Sequence, residues 1–501
     1  MKMKNVLLLT LSLILSMLPI TGFANETASI SIESYIMVVE GFDWGPGVTY
    51  LILTLDASVE EVNAEDFTVA FYRSPSFRMN PDVEADPILQ EAVVVNAFIG
   101  EADNIVVLAI EVHPGTGVNP FTFTLSPMGN DWSSVFDAVI TWNDEDFMPE
   151  RTQKIIPIVD DFDLSGRFVY DEITLQYASF APPSASTSDR PLIIWLHGGG
   201  EGSIGNTAGP EAALLGNRVT QLAAPEIQGF MGGAHVLVPQ TPTAWMSGAD
   251  FQGDGGYSSV YESALMALID DFIANTPTVD TNRIYIGGCS NGGYMVMRLL
   301  FERPNMFAAA WPICLGYRET WITDEKIERI AHVPIWFIHD YYDPVGATPH
   351  EDSERLLSLL LDAGAENVHL FTSRGLFSHE FYDEDGNPWQ FDYHWSWIPP
   401  LNNTVSTMID GQSISLFEWM AAQTLAVSQP AIPQRIVDGT VYVPFRLFAY
   451  AQGAEVGWDV DTNAVLITID GYTRSFLVSE TGGFNDNGTV FIPYEFAYSI
   501  F

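Results

Sequence analysis

Gly287-Gly288-Cys289-Ser290-Asn291-Gly292-Gly293 directly follows the strand-like run Arg283-Ile284-Tyr285-Ile286. Gly288, Ser290 and Gly292 match G-x-S-x-G, the pattern that holds a serine on a sharp strand-to-helix turn. Bulky neighbours would clash there, because the turn is strained and packs against the next helix. The apolar run Tyr294 to Phe301 reads as that helix. Strand, turn and helix together predict a nucleophilic Ser290 presented at the carboxyl end of a strand.

A serine hydroxyl attacks well only if a histidine takes its proton and a carboxylate holds that histidine in the right tautomer. In doubly wound hydrolases the chain order is serine, acid, histidine. The acid should then follow the run Ile335 to Ile338, in His339-Asp340-Tyr341-Tyr342-Asp343-Pro344-Val345. Asp343 is preferred because Pro344 fixes the turn after it; Asp340 is the competitor. Two histidines lie beyond. His394, in Tyr393-His394-Trp395-Ser396-Trp397, is favoured because aromatic neighbours such as Trp395 shield an imidazole and shape a substrate pocket. His379, in Phe377-Ser378-His379-Glu380, is the alternative. The developing oxyanion needs backbone donors. Leu196-His197-Gly198-Gly199-Gly200 supplies a loop free of bulk, with Gly199 as one donor, and Asn291 supplies the amide after the nucleophile. Trp245, after Val238-Pro239-Gln240, is expected either to line the pocket or to sit in the core. No metal site and no cofactor are expected. Asp383-Glu384-Asp385-Gly386-Asn387 lacks the spaced ligands and closing glutamate of a calcium loop, and Gly198 to Gly200 lacks the later residues of a nucleotide loop.

The elements that must position these residues change along the chain. Residues 30 to 155 contain short strand-like runs, among them Val48 to Leu55 and Ile105 to Val112, separated by turn clusters; this predicts a β-sandwich. From about 160 to 426, apolar runs (Leu192 to Leu196, Val236 to Val238, Ile284 to Ile286, Phe307 to Pro312, Ile335 to Ile338, Val368 to Thr372) alternate with the helical patterns Val260 to Ala274, Gly293 to Phe301 and Asp352 to Ala363. The alternation predicts a doubly wound, mostly parallel α/β sheet with its ligand at the carboxyl ends of the strands. After Gln429-Pro430, Gly439-Thr440-Val441-Tyr442-Val443-Pro444-Phe445 is echoed by Gly488-Thr489-Val490-Phe491-Ile492-Pro493-Tyr494, which marks a small α+β module.

With 501 residues the chain exceeds one ordinary domain. Lys2 and Lys4 precede the apolar run Val6 to Leu18, and Thr21-Gly22-Phe23-Ala24 supplies small residues for cleavage. Residues 1 to 24 read as a secretory signal peptide, so the protein is expected to be secreted or extracellular. The mature chain then holds 18 basic against 64 acidic residues, a formal charge of -46, with Lys154 and Lys326 its remaining lysines. Such a surface repels nucleic acid and anionic lipid and favours a neutral substrate. No later segment spans a membrane. Cys289 and Cys314 are expected as two buried free thiols, a disulfide between them being the alternative.

The segments Trp195 to Gly202, Val238-Pro239-Gln240 with Trp245, Asn282 to Gly293, Pro304 to Ala310 and His394-Trp395-Ser396-Trp397 resemble secreted esterases of the polyhydroxybutyrate-depolymerase-like group of α/β-hydrolases. The resemblance covers residues 160 to 426. It implies Ser290, Asp343 and His394 as a triad, Gly199 and Asn291 as oxyanion donors, and hydrolysis of neutral short-chain, aryl or polymeric esters. The chain departs from the group where Asp340 replaces glycine after His339, and in the long insertion between Ser373 and Tyr393, which leaves the histidine open. Asp43-Trp44-Gly45-Pro46 resembles the immunoglobulin-like domain that precedes some members. The tail, through Val443-Pro444-Phe445-Arg446 and Gly453 to Asp459, resembles a copper-amine-oxidase-like stalk module, which implies attachment or spacing at a surface. Residues 430 to 501 contain no His, Cys or Met, so no copper is implied. The expected division is a signal peptide (1–24), an immunoglobulin-like β-sandwich (25–158), an α/β-hydrolase domain (159–428) and the stalk module (429–501). A serine peptidase of the prolyl-oligopeptidase type shares the core and triad. A non-catalytic surface binding protein is the alternative from another class.

Overall fold

The computed structural model describes residues 30–78, 86–116, 118–125, 128–183, 189–202, 209–246, 259–425, 435–437, 440–451, 454–459, 464–469, 472–486, 489–493, 496, 497 and 500. The signal peptide and the Gln429-Pro430 boundary lie outside the described residues.

Apolar runs without polar alternation form strands only where both faces of a sheet are covered. Six such runs here become the parallel strands Arg190–Leu196, His235–Gln240, Val279–Cys289, Ala309–Ile313, Ile335–Asp340 and Val368–Ser373. Two antiparallel strands, Asp163–Tyr170 and Ile173–Phe180, precede them at one edge. Numbered along the chain, the eight strands lie in the spatial order 1-2-4-3-5-6-7-8. Successive residues serve opposite faces. Ile193 and Trp195 pack with Trp311 and Trp336 under the helix Leu416–Ala421, while Leu192, Ile194 and Leu196 pack with the helices Glu262–Asn275 and Asn291–Glu302. Burying each such side chain contributes roughly 1.5–3 kcal/mol, so this central sheet is a stiff platform for the loops at its carboxyl edge.

Residues 32–155 form a five-stranded and a four-stranded sheet around a shared core that includes Tyr35, Leu51, Phe71 and Ile140. A third small sheet carries the hairpin Phe121–Leu125 and Met128–Trp132. The sandwich is fastened to the α/β part by charged and aromatic contacts. Arg218 Nη1 donates to Asp43 Oδ1 at 3.1 Å and to Asn402 Oδ1 at 3.1 Å, and Lys154 Nζ meets Glu211 Oε2 at 2.9 Å. His113 bonds to the Tyr382 carbonyl at 2.9 Å, beside Trp44 packed edge-on against Phe381.

In the C-terminal part the two echoed segments are the strands Thr440–Pro444 and Thr489–Pro493, and they pair antiparallel with each other. The helix Phe445–Ala451 follows the first copy and shares a small core with both strands through Phe448, Val443 and Ile492. Among the described residues no helix is long and apolar enough to cross a membrane.

Candidate active site

The strand Val279–Cys289 runs straight into the helix Asn291–Glu302, and Ser290 is the hinge, at φ 55° and ψ −113°. A non-glycine residue in that region is strained by ~1–3 kcal/mol. Backbone bonds hold it there: the Ser290 N–H donates to the Ile313 carbonyl at 2.8 Å, and the Ser290 carbonyl accepts from Tyr294 at 3.0 Å and Gly316 at 3.1 Å. The flanking glycines are sterically required. A Cβ on Gly288 would stand 2.6 Å from the Leu196 carbonyl oxygen, and one on Gly292 would run into the same carbonyl. Among the described residues the Ser290 hydroxyl has no hydrogen-bond partner, as is common before a substrate tightens the site.

Asp343 follows the strand Ile335–Asp340, and its carboxylate is completely buried. Its Oδ2 lies 2.8 Å from His394 Nδ1 and 3.2 Å from His339 Nε2, and accepts from Thr348 Oγ1 at 3.1 Å; Oδ1 accepts from the Val345 N–H at 2.9 Å. Burial alone would raise its pKa, but the bonds from His339 and His394 outweigh that and lower it to about 2. The acid is therefore a carboxylate at neutral pH, and it fixes the His394 tautomer with the proton on Nδ1. His394 Nε2 is then the nitrogen free to take a proton. The histidine loop is fastened by Ser396 Oγ, which accepts from the Asp340 N–H at 2.9 Å.

Cys314 lies against this pair. Its thiol, a ring nitrogen of His394 and a carboxylate oxygen of Asp343 lie within 4.8 Å of one another. Burial, with the nearby Asp343 charge, pushes the thiol pKa up, so Cys314 is a neutral S–H beside His394. Cys289 is buried and free as well.

The loop after Arg190–Leu196 forms a short 3-10 turn, Gly199–Glu201. His197 is fully buried and clamps this loop: its Nδ1 donates to the Gly198 carbonyl at 2.6 Å, and its Nε2 accepts from the Thr241 N–H at 3.2 Å. Desolvation lowers its pKa to about 4, which keeps both roles intact at neutral pH. Asn291 opens its helix, so its N–H belongs to the first-turn amides without an intrahelical acceptor. The sandwich reaches the same loop, with Asn130 Nδ2 and the Phe123 ring 3.4 Å and 3.6 Å from where a Gly200 Cβ would be.

Several expectations resolve here. Asp340 spends its oxygens on the Tyr342 and Gly375 amides and the Ser373 hydroxyl, which leaves Asp343 to meet a histidine. His379 is exposed on the strand Phe377–Tyr382, so His394 is the one brought to the acid. Trp245, expected at a pocket wall or in the core, is fully buried and donates to the His197 carbonyl at 3.0 Å, which supports the loop. Trp395 is half-buried beside Phe391 and Trp397. Asp383 binds the Asp385 and Asn387 amides within its own turn, the tip of a hairpin. His339, Thr348 and Ser396 were not singled out by the sequence. Their signal was a polar cluster at the end of an apolar strand, which a surface loop would equally produce.

The chain matches the prolyl oligopeptidase family over residues 250–316 and the copper amine oxidase N-terminal domain over residues 423–489. Among solved structures, a thermostable esterase is similar over 78% of this chain and all of its own, at 24% identity and a TM-score of 0.60. An acylaminoacyl peptidase from Pyrococcus horikoshii (14% identity, 66% of this chain, 48% of its own, TM-score 0.34) and a poly(3-hydroxybutyrate) depolymerase from Bordetella parapertussis (17%, 42%, 83%, 0.31) are similar too. No curated protein matches. The first of these structures shares the multidomain α/β-hydrolase fold with this chain.

Proposed function

We propose that the chain is a serine hydrolase acting on carboxylic esters, with Ser290 as nucleophile, His394 as general base and acid, and Asp343 as the group that orients His394. The observation that carries this reading is the Asp343–His394 bond of 2.8 Å at the carboxyl edge that bears the strained Ser290. His394 Nε2 takes the serine proton as Oγ attacks the ester carbonyl, and the oxyanion is met by the Gly199 and Asn291 amides. The imidazolium returns its proton to the leaving alcohol, leaving an acyl-enzyme that water cleaves by the reverse sequence. The esterase-like fold neighbour supports the reading, as do the acidic composition, which favours neutral substrates, and Trp395 near the base. The leader-like first 24 residues support secretion, and the C-terminal module a spacing or attachment role.

A serine peptidase is the second reading, favoured by the match at residues 250–316. The sandwich in front argues against it, since a peptidase of that type places a propeller over the site. Release of p-nitrophenol from acetate, butyrate and octanoate esters, beside a proline-linked anilide and Ser290→Ala, separates the readings. Ester turnover lost in the variant is the expected result. Anilide cleavage alone selects the peptidase, and turnover retained by Ser290→Ala overturns the triad.

A further inference from the structure

We propose that Glu201 is a positioning residue, whose buried carboxyl group acts as a wedge under the Gly198–Gly200 loop and keeps the Gly199 amide aimed at the oxyanion. This rests on the serine hydrolase reading of the site.

A glutamate is rarely buried without a task, because its charge is costly away from water. Glu201 is 7% exposed, at the end of the turn Gly199–Glu201. Both backbones beside it are stripped of side chains. A Cβ on Gly198 would stand 2.8 Å from Glu201 Oε2 and 3.4 Å from Cys289 Sγ; one on Gly216 would stand 3.1 Å from Oε1 and collide with Cγ. The carboxyl group thus fills the gap between the loop, the residue before the nucleophile and the C-cap of the helix Glu211–Leu215. Its main chain is also secured, since Gln240 Nε2 donates to the Glu201 carbonyl at 3.0 Å. The loop is therefore held at one end by His197 and at the other by Glu201, with Gly199 between them.

Electrostatics fit this role. Burial raises the Glu201 pKa to about 7, while the amides of Glu201 and Gly198 and the field of His394 favour its charged form. Cys289 and Cys314 feel its charge in turn. A carboxyl group poised between forms accepts from backbone N–H groups in either, so the amide isostere preserves the wedge.

The test compares kcat and KM on p-nitrophenyl acetate for the full mature chain, Glu201→Gln, Glu201→Ala and Gly216→Ala. Gly216 has helical φ −60°, so its added methyl acts by collision, chiefly with Glu201 Cγ and to a lesser degree with the Ala212 carbonyl oxygen at 3.0 Å. Glu201→Ala and Gly216→Ala are expected to lower kcat ~100-fold, the scale of one lost oxyanion donor, with KM within about twofold and near-UV circular dichroism and active-serine titration unchanged from the parent, which shows that the loss is not a loss of folded enzyme. Glu201→Gln is expected to stay within about fivefold of the parent. If Glu201→Ala does not fold, Gly216→Ala against Glu201→Gln still decides. The proposal is overturned if Glu201→Ala or Gly216→Ala keeps its kcat, if the loss appears in KM, or if Glu201→Gln is as slow as Glu201→Ala. A parent chain with no Ser290-dependent ester turnover sinks the broader reading instead, so the two failures are distinguishable.

Discussion

Asp343 gathers two histidines on one carboxylate oxygen, His394 at 2.8 Å and His339 at 3.2 Å. Only His394 is partly open to solvent, at 17% against 0% for His339. One ring is therefore open to an incoming molecule while the other, anchored to Ser353 Oγ at 2.8 Å, holds Asp343 in place. Asn at position 343 would keep the shape but present an amide to His394 Nδ1 and favour the wrong tautomer. Asp343→Asn should lower kcat by roughly 10³–10⁴ while far-UV and near-UV circular dichroism stay unchanged. A loss under tenfold would mean that His394 is oriented by something else. The choice among Asp340, Asp343, His379 and His394 was only half legible in the sequence. Chain order and Pro344 narrowed it, but the decisive facts are the amides that occupy Asp340 and the hairpin that carries His379 away. Glu201 was invisible as a site, because a buried carboxyl group and a solvated acid look alike until the glycines at 198 and 216 are seen against it.

At the scale of elements, the elbow was legible because its strain leaves a sequence mark, glycine on both sides of Ser290. The two antiparallel strands escaped notice because Asp163–Tyr170 lies at the sheet edge, where exposed positions break the apolar run, and because Thr174, Gln176 and Ser179 interrupt the run in Ile173–Phe180. The loop Gly198–Gly200 was recognised from its glycines, yet what holds it, His197, came from burial. That clamp makes a pH prediction. The unfolded chain protonates His197 near 6.5, whereas the folded loop holds it neutral down to about 4. Between those values the unfolded state binds the extra proton, so this histidine costs stability as the pH falls and costs none above about 7. Urea unfolding of the parent and His197→Gln from pH 7 to pH 4 should show the parent's advantage shrinking by up to about 3 kcal/mol. A constant gap would show that His197 titrates in the folded protein as it does in water.

At the scale of the whole molecule, the three parts differ in how they touch the site. The sandwich supplies Phe123 and Asn130 against the Gly198–Gly200 loop and is bound by the half-buried Asp43–Arg218–Asn402 cluster, so the two parts are mechanically coupled. No periodicity could announce that contact, because its partners are some 70 residues or more apart along the chain and each looks like an ordinary loop or strand residue. The C-terminal module was legible as a unit through its echoed segments, which pair with each other at the centre of a four-stranded sheet and share one small core. Its helix meets the α/β part through Arg446 and Glu328, a pair 3.5 Å apart with both side chains more than 40% exposed. Exposed pairs of that kind contribute about 0.2–1 kcal/mol, too little to shape a site built on the strand ends of a stiff sheet. Ending the chain at residue 428 should therefore leave kcat and KM on p-nitrophenyl esters within about twofold and the melting temperature nearly unchanged. Breaking the sandwich seam with Arg218→Ala should lower the melting temperature by several degrees, the scale of a 1–3 kcal/mol loss when a partly buried charge pair is left open. If the shortened chain instead loses activity while the seam variant keeps its stability, the module is part of the catalytic body and the division of labour is the reverse of the one its contacts describe.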